Sequence, residues 1–384
     1  MEEGILIKTK DQLKLDIIYR IESGVLSRKE GQLLLDVSER TIKRYLKAYR
    51  EKGIGFLRHG NYLRKPVNKI PDHIKKTTQG LIRDKFYDFN MLHGREKIIE
   101  ETDFNLKRET FRKWCHEIKM VKKQKRRRAK PRHYRHRMSQ SGLMLQMDGS
   151  PHRWFDGRET CLIATIDDAT SEVVHGEFSE TETTVACLKV LKEIVRKKGL
   201  FKILYVDKAG VFGGIKRNNF SQVERACGEL GIQIIYAHSP EAKGRIERLF
   251  GTLQDRLIPE MRINKIRTMD QANDFFLNSY LPHSHNPRFQ VSPQNPISAF
   301  VPVADQKLLD SVFCIKEYRI VGKDHTFSFN GEKYAISDQL KYSISKQKIE
   351  IRFCSNGLTW KAYFANNELK VIKIKKCRTG AAAA

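Results

Sequence analysis

The stretch from Ser239 to Gln254 constrains the fold more than any other part of the chain. It opens with a Ser-Pro turn, and the segment from Glu241 to Ile258 lacks proline and is long enough for about five helical turns. Its apolar side chains recur at helical spacing and predict one buried stripe: Ile246, Leu249, Phe250, Leu253 and Leu257. The segment therefore predicts a helix anchored in a core, with Glu247 at the border of its apolar face.

Two apolar runs farther upstream each end in an aspartate. Leu143–Met147 is typical of a buried strand and precedes Asp148, and Phe201–Val206 is typical of another and precedes Asp207. Open sheets place ligands at the carboxyl ends of their strands. Together with Glu247, the two aspartates predict a site for two metal ions that catalyse displacement at phosphorus. In the simpler alternative, Glu247 is an ordinary surface residue that pairs with the lysine one turn before it.

The three acids resemble a known catalytic triad. Asp148, Asp207 and Glu247 have 58 and 39 residues between them, and they look like the D-D-E triad of the ribonuclease-H-like core shared by retroviral integrases and bacterial insertion-sequence transposases. The phrase AHSPEAKGRIERLFGTLQDRL closely resembles the helix that carries the third acid in those transposases, particularly in the ISNCY-type group.

This resemblance implies a DNA transposase that binds the terminal repeats of a mobile element, cleaves at its 3′ ends and joins them to target DNA. It implies two Mg²⁺ (or Mn²⁺) ions in each active site, held by the three acids. Because two ends must be processed together, it implies a homodimer or higher oligomer on double-stranded DNA. Around the acids, DNA contacts are expected from Lys208, Lys243, Arg245, Arg248 and Gln254.

The charge of the chain independently favours a polyanionic partner. The formal net charge is +27, and residues 1–140 hold 37 Lys and Arg against 18 Asp and Glu, a surplus of 19. Such a surplus indicates nucleic acid or an acidic membrane face. No stretch approaches a membrane span and the start lacks the regions of a signal peptide, so we expect a cytoplasmic, nucleoid-associated protein without a membrane partner.

Cysteine usage favours free thiols and gives no zinc site. The seven cysteines are scattered, odd in number and lack a C-x-x-C pair, which suits a reducing compartment. His133 and His136 have the spacing of zinc ligands, but no suitably spaced cysteine pair follows them. No zinc is therefore expected.

The N-terminal third predicts two helical DNA-reading modules. In the first, a capping box at Ser27–Glu30 and a cap at Ser38 define two helices, and the helix Glu39–Lys52 is strongly basic. Its outward residues are candidate DNA contacts: Arg40, Thr41, Lys43, Arg44 and Lys47. The alternative is a solvated basic helix in a plain three-helix bundle.

The second module is predicted as helices over Asp72–Phe89, Gly94–Glu101 and Leu106–Glu117, with Trp114 in its core. Its outward cations Lys107, Arg108 and Arg112 are candidate DNA contacts. The following block, Lys119–Arg137, contains 11 Lys and Arg and no acid, and it is typical of a linker that lies along phosphates. The candidates there are Lys125, Arg126, Arg127 and Arg128.

The remainder predicts a catalytic core in the order β-β-β-α-β-α-β-α, with Asp167 and Asp168 explained by turn chemistry. After the core, the sequence predicts a helix at Thr268–Leu281, an extended connector at Pro282–Pro296 and then five or six short strands.

The predicted fold class is multidomain α+β. Its parts are a helix-turn-helix domain (1–55), a basic linker (56–70), a second helix-turn-helix-like domain (71–118), a basic linker (119–140), a ribonuclease-H-like α/β catalytic core (141–263), a helical connector (264–312), a small C-terminal β-barrel (313–379) and a tail (380–384).

Two other function classes remain open at this stage. One is a DNA-binding regulator on a catalytically inactive core, against which the presence of all three acids argues. The other is a stand-alone nuclease on the same fold, against which the two predicted DNA-reading modules argue.

Overall fold

A computed structural model describes residues 9–58, 66, 69–120, 135–155, 157–207, 221–237, 243–338, 342–353 and 359–374. The chain is a mixed α+β protein that divides into two units, Met1–Lys75 and Lys76–Ala384. No helix among the described residues has the length and apolarity to cross a bilayer. Five of the predicted free thiols lie in the described ranges and are free: Cys115, Cys161, Cys187, Cys227 and Cys314.

The first unit contains three helices, α1 (Thr9–Glu22), α2 (Arg28–Leu35) and α3 (Glu39–Lys52), and the last two begin at the predicted caps. The capping box at Ser27 and Glu30 and the cap at Ser38 are both formed, and Gly53 ends α3 with a positive φ of 52°. A 3-10 helix, Gly53–Leu57, follows. These elements close on a small core of Ile18, Ile42, Leu46 and Phe56. The helix positions are confirmed, whereas the helix-turn-helix assignment stays a prediction.

Three helices, α4 (Asp72–Asp84), α5 (Met91–Thr102) and α6 (Arg108–Glu117), form the next part. The predicted helix Asp72–Phe89 is too long, because α4 ends at Asp84 and the buried Phe86 and Phe89 lie in the turns that follow it. Asn90 then caps α5, accepting a hydrogen bond from the His93 N–H at 2.9 Å. Trp114 is 7% exposed, which confirms its predicted place in the core.

The central layer is a five-stranded sheet in the order β3-β2-β1-β4-β5. The predicted succession of strands and helices is confirmed: β1 (Met144–Phe155), β2 (Arg158–Asp167), β3 (Val173–Ser179), α7 (Thr184–Lys198), β4 (Ile203–Val206), α8 (Gln222–Glu229), β5 (Gln233–Tyr236) and α9 (Gly244–Ile263). β1 to β3 form an antiparallel meander, and β4 and β5 run parallel to β1. β1 does not end at Asp148 but continues to Phe155, because β2 is long enough to pair with it.

The two faces of the sheet are covered by different helices. Leu145, Met147 and Ile163 pack against α7 and α8, whereas Leu162 and Ala164 pack against α9. The stripe predicted for α9 is confirmed, since each of its five residues is at most 7% exposed. Because side chains alternate along a strand, residues 146, 148 and 150 of β1 face α9.

A further helical stretch packs beside α9 and corrects a predicted connector. It consists of α10 (Met269–Asp274), a π-helical segment (Phe275–His285) and α11 (Asn286–Phe289). Pro282 lies within the π-helical segment, so the helical path does not end there as predicted. Buried Phe276, Tyr280 and Leu281 hold the segment against the sheet, and this packing outweighs the hydrogen bond that proline cannot donate.

The rest of the described chain comprises α12 (Gln306–Val312) and seven short strands, β6 (Lys316–Ile320), β7 (Thr326–Phe329), β8 (Glu332–Ile336), β9 (Lys348–Phe353), β10 (Trp360–Phe364), β11 (Asn367–Leu369) and β12 (Val371–Lys373). Asn330 and Gly331 form the turn between β7 and β8, with positive φ angles of 50° and 76°. The predicted barrel is not confirmed: in the described ranges the strands form two sheets, β11-β10-β9-β6 and β12-β8-β7, around one core.

Helix α5 contacts the C-terminal half of α9 through charged side chains. Glu260 of α9, 6% exposed, lies 2.8 Å from His93 Nε2 and 2.9 Å from Lys97 Nζ of α5. Arg256 of α9 pairs with Glu96 of α5 at 3.0 Å. These contacts add a second support to the helix that carries Glu247.

Candidate active site

Asp148 and Asp207 lie at one edge of the sheet, on neighbouring strands. Asp148 follows the part of β1 that pairs in parallel with β4, Met144–Gln146 against Ile203–Tyr205. Asp207 comes directly after the last residue of β4. The parallel pairing therefore carries both carboxylates to the same edge, as the strand-end argument from the sequence requires.

Lys243 links the two aspartates. Its Nζ lies 2.8 Å from Asp148 Oδ2 and 3.9 Å from Asp207 Oδ2, and its side chain is 6% exposed. Burial raises the pKa of Asp148 above its ordinary value; the Lys243 ammonium opposes this rise and the charge of Asp207 adds to it. The sequence predicts Lys243 as a DNA contact, but in this structure its charge is engaged by the two acids.

Glu182 is a third carboxyl group at this edge, and the sequence reasoning missed it. A Cβ placed on Gly149 would lie 2.7 Å from the Glu182 Cδ, so the glycine leaves room for this carboxyl group. Burial, reinforced by the charges of Asp148 and Asp207, raises the pKa of Glu182 to about 7. Its Oε1 is buried and has no hydrogen-bond partner among the residues that the structure describes.

A sequence signal for Glu182 did exist. β3 is antiparallel to β2, which is antiparallel to β1, so β3 and β1 run in the same direction. The carboxyl end of β3 therefore points to the same edge as those of β1 and β4. Glu182 follows Ser179, the last residue of β3, by three positions. Applied to this third strand, the rule that found the two aspartates points to Glu180 and Glu182 together. Burial separates them, since Glu180 is exposed whereas an oxygen of Glu182 is buried.

Glu247 lies in the first turn of α9 and is exposed. The register of α9 against β1 is set by Lys243, which contacts Asp148, and by Gln254, whose Nε2 donates to Ser150 Oγ at 3.1 Å. Glu247 lies one turn after Lys243 and two turns before Gln254, so its backbone is on the helix face that these contacts turn toward β1. Its side chain lines a surface pocket together with Asn90, Leu92, Arg248, Gly251, Thr252, Asp255, Arg256 and Phe289.

The structure thus gathers Asp148, Asp207, Glu182 and Lys243, with Glu247 one turn away along α9. In the ranges described, no three His, Cys, Asp or Glu side chains are arranged as a ready metal site. The donor set nevertheless fits a hard divalent cation, which prefers carboxylate oxygens. An ammonium already contacts two of these carboxylates, and a buried oxygen of the third has no hydrogen-bond partner within the described part of the chain. Asp148, Asp207 and Glu247 as a metal-binding triad remain a prediction.

Asp167 and Asp168 have different roles. Asp167 accepts hydrogen bonds from the Ala169 and Thr170 N–H groups at 2.9 Å, which is turn chemistry as predicted. Asp168 instead accepts from Arg245 at 2.7 Å and also pairs with Arg135. The predicted turn role is therefore incomplete for Asp168, whose buried charge ties the first turn of α9 to the chain ahead of β1.

The other predicted DNA contacts are distributed over three regions. Arg40, Lys43, Arg44 and Lys47 are exposed on α3, and Thr41 beside them is half-buried. Lys107 and the α6 residues Arg108 and Arg112 are exposed, as is Arg248 on α9. Gln254 and Arg245 are engaged by Ser150 and Asp168. Lys125, Arg126, Arg127, Arg128 and Lys208 lie outside the described residues.

Two proteins are similar to this chain over most of its length. One, y4bF of Sinorhizobium fredii, is assigned as a transposase; it is 30% identical over 348 residues, which are 87% of this chain and 74% of that protein. The other is the transposase for insertion sequence IS1202 of Streptococcus pneumoniae, 31% identical over 374 residues, which are 86% of this chain and 80% of that protein. No family model matches the chain.

Solved structures show only distant likeness. A chain of the simian T-cell lymphotropic virus intasome, solved with the PP2A regulatory subunit B56 gamma, has a TM-score of 0.35 and 14% identity; the match covers 74% of this chain and 95% of that one. The HTLV-2 integrase catalytic core domain with magnesium, in its trimeric form, has a TM-score of 0.30 and 15% identity, covering 36% and 86%. At these TM-scores the likeness carries no weight for fold or function.

Proposed function

Because the chain belongs to the insertion-sequence transposases, we propose that it binds the terminal repeats of its element, cleaves at their 3′ ends and joins them to target DNA. Asp148, Asp207 and Glu247 hold two Mg²⁺ (or Mn²⁺) ions in this proposal. The observation that carries it is the pair of aspartates that approach one buried cationic group, Lys243 Nζ, at 2.8 and 3.9 Å.

The protein's own part in the chemistry is to hold oxygen ligands rigidly. Bound divalent cations supply activation of the attacking oxygen and stabilisation of the leaving 3′ oxygen. The backbone of Asp148 pairs with Ala164 of β2, Asp207 directly follows β4, and the buried stripe of α9 fixes Glu247. Asp148 would be the most rigidly held of the three ligands, because the central strand β1 is paired on both sides. No covalent enzyme intermediate is needed, since water and then the 3′ hydroxyl attack phosphorus directly.

DNA recognition is assigned to the basic helical parts. α3 presents Arg40, Lys43, Arg44 and Lys47 on one exposed face, which suits a major groove. The exposed cations Lys107, Arg108 and Arg112 give the second helical part a similar surface. The predicted domain boundaries, a helix-turn-helix at 1–55 and a second at 71–118, are part of this proposal. Two ends are processed together, so we propose at least a dimer on paired DNA ends.

Incubation with Mg²⁺ and labelled duplexes from both flanks of the coding region tests the proposal. Strand-joined products are expected. Cleavage without joining would indicate a stand-alone nuclease instead, and binding without cleavage would indicate a regulator.

Substitution of the acids tests their assignment. Asp148→Asn and Glu247→Gln should each abolish joining while leaving DNA affinity within about threefold of the parent, because neither side chain is assigned to a phosphate. Gel electrophoresis and fluorescence anisotropy measure the two effects. Glu180→Gln, at an exposed position near the same edge, is the control and should join normally. Retained joining in either acid variant would refute the triad.

A further inference from the structure

Lys243 is the buried partner in its ion pairs. Its side chain is 6% exposed, against 22% for Asp148 and 44% for Asp207. The ammonium-bearing side chain is therefore more shielded from solvent than either carboxylate that it contacts. The second oxygen of Asp148, Oδ1, accepts the Gly149 N–H at 3.1 Å, so both oxygens of this carboxylate are engaged.

The arrangement needs a positive charge. Neighbouring carboxylates repel one another, and burial adds a cost that only a partner of opposite sign offsets. Glu182 adds a third carboxyl group, whose charge contributes to the same field. Without metal, the Lys243 ammonium is the cation that the described residues place against both Asp148 and Asp207.

A divalent cation would compete for the same oxygen atoms. Mg²⁺ and Mn²⁺ bind carboxylate oxygens directly. Asp148 Oδ2 cannot remain 2.8 Å from an ammonium nitrogen and also bind a divalent ion unless two positive charges come into close contact, which is strongly unfavourable in a buried setting.

We propose that Lys243 is the resident counter-ion of the metal-free site, and that a divalent cation must displace its ammonium from Asp148 and Asp207 to bind. Lys243 thereby stabilises the protein without metal and raises the metal concentration at which the site fills. This inference rests on the proposed function, since it takes the two aspartates as metal ligands.

Calorimetric titration of Mn²⁺ into the full chain without DNA tests the inference. Lys243→Gln should bind Mn²⁺ at least about fivefold more tightly than the parent, because the competing charge is gone. Lys243→Arg keeps the charge and should bind no more tightly than the parent. Lys198→Gln removes an exposed lysine that pairs with Glu172 at 2.7 Å, and it should leave the affinity unchanged. Equal or weaker Mn²⁺ binding by Lys243→Gln overturns the inference.

Two further measurements separate this inference from the proposed function. Asp148→Asn should lose Mn²⁺ binding; if it binds like the parent, the proposed metal site itself is wrong. Thermal unfolding in chelator should show a lower Tm for Lys243→Gln than for the parent, and added Mn²⁺ should raise the Tm of the variant more than that of the parent. A variant that gains no stability from Mn²⁺, or that fails to fold even with Mn²⁺, contradicts the counter-ion role.

Discussion

The protonation of Glu182 connects the candidate site with the stability of the protein. Burial, together with the charges of Asp148 and Asp207 and against that of Lys243, raises the pKa of Glu182 from 4.5 to about 7. Because the folded-state pKa lies above the unfolded value, the stabilising contribution is complete below pH 4.5 and is lost as the pH rises through about 7. Above that pH, the folded protein carries an ionised, partly buried carboxylate.

We therefore expect Glu182→Gln to be more stable than the parent at about pH 8 and nearly as stable as the parent at about pH 5. The amide cannot ionise, so a penalty of about 1 to 2 kcal/mol, reduced by solvent screening of the partly exposed group, disappears at the higher pH. Urea unfolding at the two pH values, in chelator, measures the difference in the free energy of unfolding.

The matched control for this variant is Glu180→Gln, two residues earlier and exposed. Its free energy of unfolding relative to the parent should change little between the two pH values. If the advantage of Glu182→Gln were the same at both, the carboxyl group of Glu182 would not be the buried acid that the structure indicates.

At the level of single residues, the sequence identified the acids that directly follow apolar runs and missed one that lies farther from its strand. Asp148 and Asp207 stand after apolar runs, so a local pattern suffices to select them. Glu182 stands three residues after β3 and beyond Glu180, so no local pattern separates these two acids, and only the packing of the folded protein buries one of them. The inward position of Lys243 likewise follows from the packing of α9, and nothing in its local sequence distinguishes it from an exposed lysine.

At the level of elements, helix α9 is held by side-chain contacts in both of its halves. Lys243 and Gln254 tie its first half to β1, and Glu260 ties its second half to α5 through His93 and Lys97. Helix α9 was predictable because its apolar stripe is regular. The helical path through Pro282 was not, since it depends on burial of Phe276 and Tyr280 against the sheet.

We expect Glu260→Gln to lower the free energy of unfolding by about 3 kcal/mol, because it leaves the Lys97 charge without its buried partner. Urea unfolding measures the change. Glu100 is the other carboxylate near Lys97, and its side chain is 64% exposed. Glu100→Gln should therefore lower the free energy of unfolding by less than about 1 kcal/mol. Similar losses of unfolding free energy in the two variants would show that Glu260 stabilises the protein no more than an exposed carboxylate does.

At the scale of the whole molecule, the net charge of +27 is the property that composition alone established. Composition does not say which cations meet DNA, because many are engaged by acids in the folded protein, as Lys243 and Arg245 are. The exposed face of α3 is a better candidate, since Arg40 and Arg44 lie on it one helical turn apart.

The salt dependence of DNA binding tests this assignment, because each phosphate contact releases counter-ions. We expect the double variant Arg40→Gln, Arg44→Gln to reduce the slope of log affinity against log salt by about 2. The variant Lys197→Gln, Lys198→Gln removes the same charge from the exposed end of α7 and should leave the slope almost unchanged. Anisotropy titrations with a duplex from the flank of the coding region, over a range of salt concentrations, supply both slopes. Equal reductions of the slope in the two variants would mean that DNA is attracted by the overall charge of the protein. The assignment of α3 as the helix that contacts DNA would then be wrong.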